Sequence, residues 1–423
     1  MRLGRTARGL RLAAWRRQVH WGIVALAGAS IFLIGCNLIA SALLDLGWVR
    51  HTIDDSSSGA DGVRLADVDG DGLADVATPW EEGGRVRVCL NPGPSTVAWP
   101  WPGVTVGRVG SPEDAVLVDL DSDGATDVVS CCEGDTRSIF VHWAPSDPAQ
   151  YMLSLAWRTR AIPVVERMAQ WMFCLPMQID GQYGVDLVVG ARGDDAPIGW
   201  LESPSDPRSL GAWRWHELYS GGWIMSLVAA DMDADGDLDV VASDRRGSTR
   251  GCLWLENPGP AMARTVWPVH RIGVADREAM FLCVVDLDQD GLVDVLTATA
   301  ARELVYYRCE AAGGRLWRAF PIALPADAGT GKAVAVGDVD QDGCLDIVVS
   351  CENAGGRSGV LWLSYLNSVT DPLWAAHDIS GSAGGKFDLV ELLDLDGDGD
   401  LDAITCEEGE DLGVVWYENP TRR

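Results

Sequence analysis

Seven short acidic turns carry the strongest chemical signal in the 423-residue sequence. The pattern D-x-D-x-D-G-x-x-D is set by Asp67, Asp69, Asp71 and Asp75, and again by Asp119, Asp121, Asp123 and Asp127. It returns at Asp231, Asp233, Asp235 and Asp239, then at Asp286, Asp288, Asp290 and Asp294. The last two copies are Asp338, Asp340, Asp342 and Asp346, and Asp394, Asp396, Asp398 and Asp402. The third copy in chain order is degraded to Gln178, Asp180, Gln182, Tyr183 and Asp186. Carboxylates on alternate residues of a tight loop, with glycine permitting the sharp turn and a backbone carbonyl near position 7, are the donor set of a hard divalent cation such as Ca2+. We therefore expect about six structural calcium sites, with the third turn weak or empty.

A second set of residues is fixed by the register of the first. Six residues past the last Asp of each motif stand Glu81, Glu133, Arg192, Arg245, Ala300, Glu352 and Glu408. With neighbours Trp80, Trp171, Trp223, Arg277 and Lys386, the charged members form a candidate ligand-binding face. It lies at the strand ends opposite the acidic turns. Aromatic rings beside carboxylates and guanidiniums suit sugar rings, which stack on apolar faces and bridge hydroxyls to charges. The other reading is that these tryptophans plug a central channel. Pairs such as Glu81/Glu82 and Glu407/Glu408 have the groups for acid–base work, although a run of solvated or salt-bridged acids is the simpler account. No histidine reaches this face, because His51, His216, His270 and His377 share one strand position and His142 lies on another strand. No Ser-His-Asp set is visible.

The elements that must position these groups recur with the motifs, whose starts lie 52 to 59 residues apart. Each unit reads as four strands. A short apolar strand leads into the motif, a second leaves it, a third carries a tryptophan such as Trp254 or Trp416, and a fourth opens on one such as Trp48 or Trp267. A 50-residue period of this kind is a propeller blade. The fold expected over residues 48–420 is therefore a single all-β, seven-bladed propeller of four-stranded blades. It is closed by pairing the strand that begins at Trp48 with the last unit, leaving no free sheet edge.

These units resemble FG-GAP/VCBS repeats, the kind that build the integrin α-subunit propeller and many exported bacterial proteins. The resemblance covers residues 48–420 and rests on the acidic motifs. It implies a calcium-loaded propeller whose acidic turns are scaffold, with function on the opposite face. It says little about which function, since such repeats serve adhesion proteins, lectin-like binders and some carbohydrate lyases.

Charge narrows the partners. The chain carries 62 acidic and 33 basic residues, a formal charge of −29, which disfavours nucleic acid, whose phosphates need a basic face. Residues 1–47 read as an export or anchoring segment. Arg2, Arg5, Arg8, Arg11, Arg16 and Arg17 precede an apolar run from Trp21 to Ile34. Leu33-Ile34-Gly35-Cys36 resembles a bacterial lipobox, which implies lipidation of Cys36. The apolar character continues to Leu44, so an uncleaved signal anchor and another processed signal stay open. All of these readings place the rest of the chain outside the cytoplasm, periplasmic or at the cell surface, touching membrane only through the N-terminal anchor. The expected function is a calcium-binding propeller acting as a cell-surface binding module for glycan or protein ligands. The alternative is a lyase-like carbohydrate-active enzyme working on the face opposite the calcium loops.

Overall fold

Each acidic turn is a hairpin in the computed structural model, which describes residues 47–273 and 276–422. The N-terminal segment, with Cys36 and the expected signal or anchor, lies outside the described residues. Among them no helix is long and apolar enough to cross a membrane. Trp48–Asn419 forms one compact unit, built almost wholly of antiparallel strands.

The first sheet runs Arg64–Ala66, Asp75–Trp80, Arg85–Cys89 and Gly103–Gly107, and the second repeats the order with Pro112–Val118, Asp127–Cys132, Ser138–Trp143 and Arg158–Ala161. Two further four-stranded sheets begin at Ala279–Val285 and Thr330–Gly337. In the last one, Phe387–Leu393, Asp402–Glu407 and Gly413–Glu418 are completed by the first strand of the chain, Val49–Asp54. Val49 lies opposite Glu418 and His51 opposite Trp416.

The expectation of seven four-stranded blades is not met. The described residues form six sheets, five of four strands and one of six. The six-stranded sheet carries both the third and fourth acidic turns. Two strands, Asp186–Glu202 and Arg214–Ala230, run 17 residues each without a break. Where other units turn, this backbone only bulges at residues 193–195 and pairs again on either side, with Arg192 opposite Trp223 and Ala196 opposite Gly221. That continuity joins two repeat units into one sheet.

The sheets pack through apolar layers. One joins Trp80, Trp101, Trp416 and Cys406, and another joins Trp143, Trp171, Trp213 and Cys131. Each large buried ring of this kind contributes on the order of 2–3 kcal/mol of transfer free energy. The repeating tryptophans explain the fourth strands. The indole N–H groups of Trp101, Trp157, Trp213 and Trp267 donate to the carbonyls of Val97, Tyr151, Pro207 and Ala263. The third-strand tryptophans stack on the shared histidines instead: Trp416 on His51, Trp200 on His216, Trp254 on His270 and Trp362 on His377, with ring centres 3.9–4.6 Å apart. Glutamates Glu418, Glu202 and Glu256 then bond His51, His216 and His270. The ten cysteines among the described residues are unbridged, eight of them buried. The inner strands enclose a channel of about 380 Å³ lined by Met225–Val228, Phe281–Val285, Ala333–Val336 and Leu389–Leu392, with Arg64 and Glu391 its charged members.

Candidate functional site

The acidic turns come first, because they fix every strand end. In six of the seven, the first Asp accepts the amide of the sixth-position glycine, as from Gly72 to Asp67 at 2.9 Å and from Gly291 to Asp286 at 2.9 Å. That glycine has φ between +87° and +96°, a conformation that glycine adopts without strain. The ninth-position Asp does something else. All seven are buried at the start of a strand and accept the amide of motif position 2, as from Val68 to Asp75 at 2.7 Å. Six also accept an amide from the end of the third strand, as from Asn91 to Asp75 at 2.7 Å. Burial pushes these carboxyls up, Asp75, Asp186 and Asp294 to about 6, Asp127 and Asp239 to about 7, and Asp346 and Asp402 to about 8.

The turns fit a hard cation. Oxygens of Asp67, Asp69 and Asp71 lie within 4.8 Å of one another, as do those of Asp119, Asp121 and Asp127, and of Asp231, Asp233 and Asp239. Oδ1 of Asp233 and Oδ1 of Asp338 are buried with no hydrogen-bond donor, a costly state for a carboxylate oxygen. Burial, then the neighbouring Asp71, raises Asp69 above the ordinary carboxylate range. A cation held here by the first, third, fifth and ninth positions would supply the missing positive charge and tie the hairpin to its sheet.

The degraded third turn is satisfied differently. The Gln178 side-chain amide donates to the carbonyls of Gln182 at 3.2 Å and Gly184 at 2.5 Å. Gly184 is the seventh position, whose carbonyl a cation would need. Arg264 reaches in from a neighbouring loop to Asp180 at 2.5 Å and Glu202 at 2.9 Å. Other turns also receive a guanidinium. Arg208 pairs with Asp121 and Asp123, Arg315 lies 3.8 Å from Asp233, and Arg308 pairs with Asp288 at 2.6 Å and Asp290 at 3.0 Å. Among the described residues, no ion pair reaches the first, third or fifth Asp of the first, sixth or seventh turn.

At the opposite strand ends the structure assembles a pocket around Trp223. Guanidinium carbons of Arg192, Arg245 and Arg246 stand 4.9, 4.9 and 4.6 Å from the centre of its ring. The fully buried Asp244 aims this indole. It accepts the Trp223 amide at 2.8 Å, the Gly222 amide at 3.1 Å and the Thr249 hydroxyl at 2.9 Å. The pocket is about 640 Å³ and is walled by Gln170, Arg192, Asp194, Trp223, Arg246 and Ser248, with glycine backbone between them. The three arginines are not equivalent. Arg245 is enclosed and pairs with Glu278 at 2.8 Å and Glu352 at 3.8 Å, and Arg192 pairs with Glu133. Arg246 is 54% exposed and has only a loose 3.6 Å contact with Glu278.

The remaining expected face residues divide. Glu133, Arg192, Trp223, Arg245 and Glu352 belong to one linked network. Lys386 and Glu408 pair with each other farther around the same end, and Glu81 lies beyond Glu133. Arg277 pairs instead with Glu303 and Asp276, away from the pocket. Trp80 and Trp171 are fully buried in the inter-sheet layers and present no ring to a ligand. Side chains alternate along a strand, so where Glu81 faces the axis, Trp80 faces the layer between sheets. Trp171 meets Trp215 edge-on at 5.5 Å for the same reason. Sequence register pointed to the right strand ends but not to which of two adjacent residues is presented. Asp61 is the member it omitted. Applying to the first unit the spacing that marks Glu113 and Lys332, six residues before each motif, would have found it.

Comparison with known proteins bears on the fold. Residues 67–130 and 286–349 match the FG-GAP-like repeat. The chain is a β-propeller with FG-GAP-like repeats. The structure resembles that of BBS1N in complex with ARL6DN, at 11% identity and a TM-score of 0.51 over 88% of this chain and 95% of that one. It also resembles YCF48 from Cyanidioschyzon merolae, at 8% identity and a TM-score of 0.51 over 88% of this chain and 99% of that one. At such identities the likeness concerns this FG-GAP propeller's fold alone. No curated protein sequence matches the chain significantly.

Proposed function

We propose that this FG-GAP propeller is an exported binding module, braced by calcium at its acidic turns, which takes a carboxylate-bearing ligand at the Trp223 pocket. The observation that carries the reading is Arg246, an exposed guanidinium held 4.6 Å over a fixed indole at the rim of a 640 Å³ pocket. A planar cation beside an aromatic wall recognises a carboxylate bidentately while the ring takes the apolar part of the ligand. An acidic sugar or an acidic protein side chain has that chemistry. BBS1N is seen in complex with ARL6DN, which agrees with an interaction role. The basic signal-like segment supports export, and the orphaned oxygens of Asp233 and Asp338 support calcium.

Calorimetric titration with uronate oligosaccharides and with acidic peptides tests this reading. Binding that Arg246→Ala weakens at least tenfold is expected from one of the two panels. No binding from either panel, or binding indifferent to Arg246→Ala, overturns it. Release of unsaturated, ultraviolet-absorbing sugar from a uronate polymer would replace it with the lyase reading.

A further inference from the structure

The Trp223 pocket holds charge of both signs, and its acidic side comes from an irregularity in the backbone. Gly193, Asp194 and Asp195 lie between the pairs Arg192–Trp223 and Ala196–Gly221, with the single residue Gly222 opposite them. Gly193 at φ +129° and Asp195 at φ +56° make this stretch a bulge. Bulges re-aim side chains, and this one brings Asp194 and Asp195 to the pocket wall. Gly222 lies against the backbone of Arg246, since a Cβ there would stand 1.9 Å from the Arg246 carbonyl oxygen. Glycine thus lets the Arg246 loop close on the strand opposite the bulge. The exposed guanidinium and the two carboxylates share one cavity.

Neither carboxylate is used inside the protein. Asp194 and Asp195 are exposed, and neither meets a hydrogen-bond donor or a cation among the described residues. Two other wall residues carry orphaned polar atoms. Nε1 of Trp223 lacks an acceptor and Oε1 of Gln170 lacks a donor, and both atoms are buried. Such orphans are costly in the protein alone, and together they call for a group that both donates and accepts.

Resting on the reading of this pocket as a carboxylate-binding site, we propose that its ligand is a uronate sugar and not an acidic protein segment. The uronate carboxylate lies on Arg246, the sugar ring on Trp223, and neighbouring hydroxyls donate to Asp194 and Asp195. An ionised carboxylate only accepts, so these two acids select for donors, and O–H bonds to them are charge-assisted. An ammonium group also donates, but it has no lone pair for the Trp223 N–H. A hydroxyl donates to an acid or to Gln170 and accepts from the indole. An acidic protein side chain brings only acceptors into a cavity with two unpaired acids, and like charges disfavour it. Arg246 therefore selects an acid, and the bulge selects a hydroxylated one.

The experiment is calorimetric titration of the full chain, at constant calcium, with trimers of galacturonate, glucuronate, mannuronate and guluronate, and with triglutamate. A uronate trimer is expected to bind. Arg246→Ala and the double variant Asp194→Asn/Asp195→Asn should each weaken it at least tenfold, while triglutamate shows no measurable binding. Both acids are exposed and unpaired, and Asn tolerates the positive φ of position 195, so the double variant keeps the fold. Uronate binding that the double variant leaves unchanged overturns the proposal. So does triglutamate binding that needs Arg246 and tightens in the double variant, an outcome that keeps the carboxylate site and assigns it to protein. No binding from any trimer, or binding indifferent to Arg246→Ala, removes the carboxylate site and the uronate with it.

Discussion

Asp186 accepts the backbone amide of Ser203 at 2.8 Å, although the turn that Asp186 closes has lost two of its carboxylates. Its other oxygen takes the Ile179 amide at 3.0 Å. In six of the seven motifs the last Asp is thus a staple between turn, second strand and third strand, and this role outlives the cation chemistry. Asp186→Ala should destabilise the protein by roughly 2–4 kcal/mol, the cost of two buried amides left without acceptors. Denaturant unfolding in excess EDTA checks this. If Asp186 mattered only as a cation ligand, its removal would change nothing there.

The arginines predict unequal calcium affinities among the turns. A guanidinium on Asp288 and Asp290 must move before a cation can use those oxygens, whereas the first and sixth turns have no such competitor among the described residues. Calorimetry should resolve a tight class that includes the first and sixth turns and a weaker class for the Arg-paired ones. Arg308→Gln should shift one site from the weak class to the tight class. Chelation should lower the melting temperature, since each site at a hundredfold excess of ligand over its Kd contributes about 2.7 kcal/mol. A melting temperature indifferent to EDTA would remove calcium from the account.

The degraded third turn should respond in the opposite sense. Arg264 is the counter-charge for Asp180 and Glu202, both nearly buried, and it holds the Glu202 carboxyl down to about 2. Arg264→Ala leaves Asp180 unpaired and Glu202 with only His216 and a 3.7 Å contact from Arg214, and should lower the melting temperature by several degrees. Added calcium should restore little of it, because the Gln178 amide already occupies the Gly184 carbonyl. Full rescue by calcium would mean that the turn is still a metal site.

Much of this was legible in the sequence because it is local. The acidic spacing set the hairpins, and the shared Trp and His positions set the third and fourth strands, since each depends on residues within one repeat. The joined six-stranded sheet was not legible. Gly193-Asp194-Asp195 has the composition of a turn but forms a bulge, and pairing on either side of it with Ser220–Trp223, far along the chain, carries the sheet onward. The burial of Trp80 and Trp171 was hidden similarly, because a motif counts residues along the chain while burial depends on which side of the strand each one takes. Asp61 shows the reverse case, a position the register specifies once the spacing is counted from the motif backwards.

Arg246 gives the cleanest separation of binding from stability. Its side chain is half exposed and its one acidic contact is loose, so Arg246→Ala should change unfolding free energy by less than about 0.5 kcal/mol. Trp223→Ala removes the ring that three guanidiniums surround and should cost stability as well as binding. Comparing melting curves of the two variants checks this. Equal destabilisation by both would mean that Arg246 is part of the scaffold and not a presented group.

Acid sensitivity should centre on His142. Its ring is fully buried on the Ser138–Trp143 strand, where Nε2 meets the Ser130 hydroxyl and Nδ1 the Thr159 hydroxyl, each at 2.9 Å. Burial lowers its pKa from 6.5 to about 3. The folded protein therefore keeps His142 neutral while the unfolded chain takes a proton below pH 6.5. The stability this neutral ring contributes is fully present above pH 6.5 and is lost as pH falls from there towards 3, at a limiting slope of about 1.4 kcal/mol per pH unit. His142→Gln keeps hydrogen-bonding groups in place without a titrating ring. Unfolding free energies from pH 7 to pH 4 should show a shallower fall in this variant than in the parent. Parallel curves would assign the acid lability to other groups.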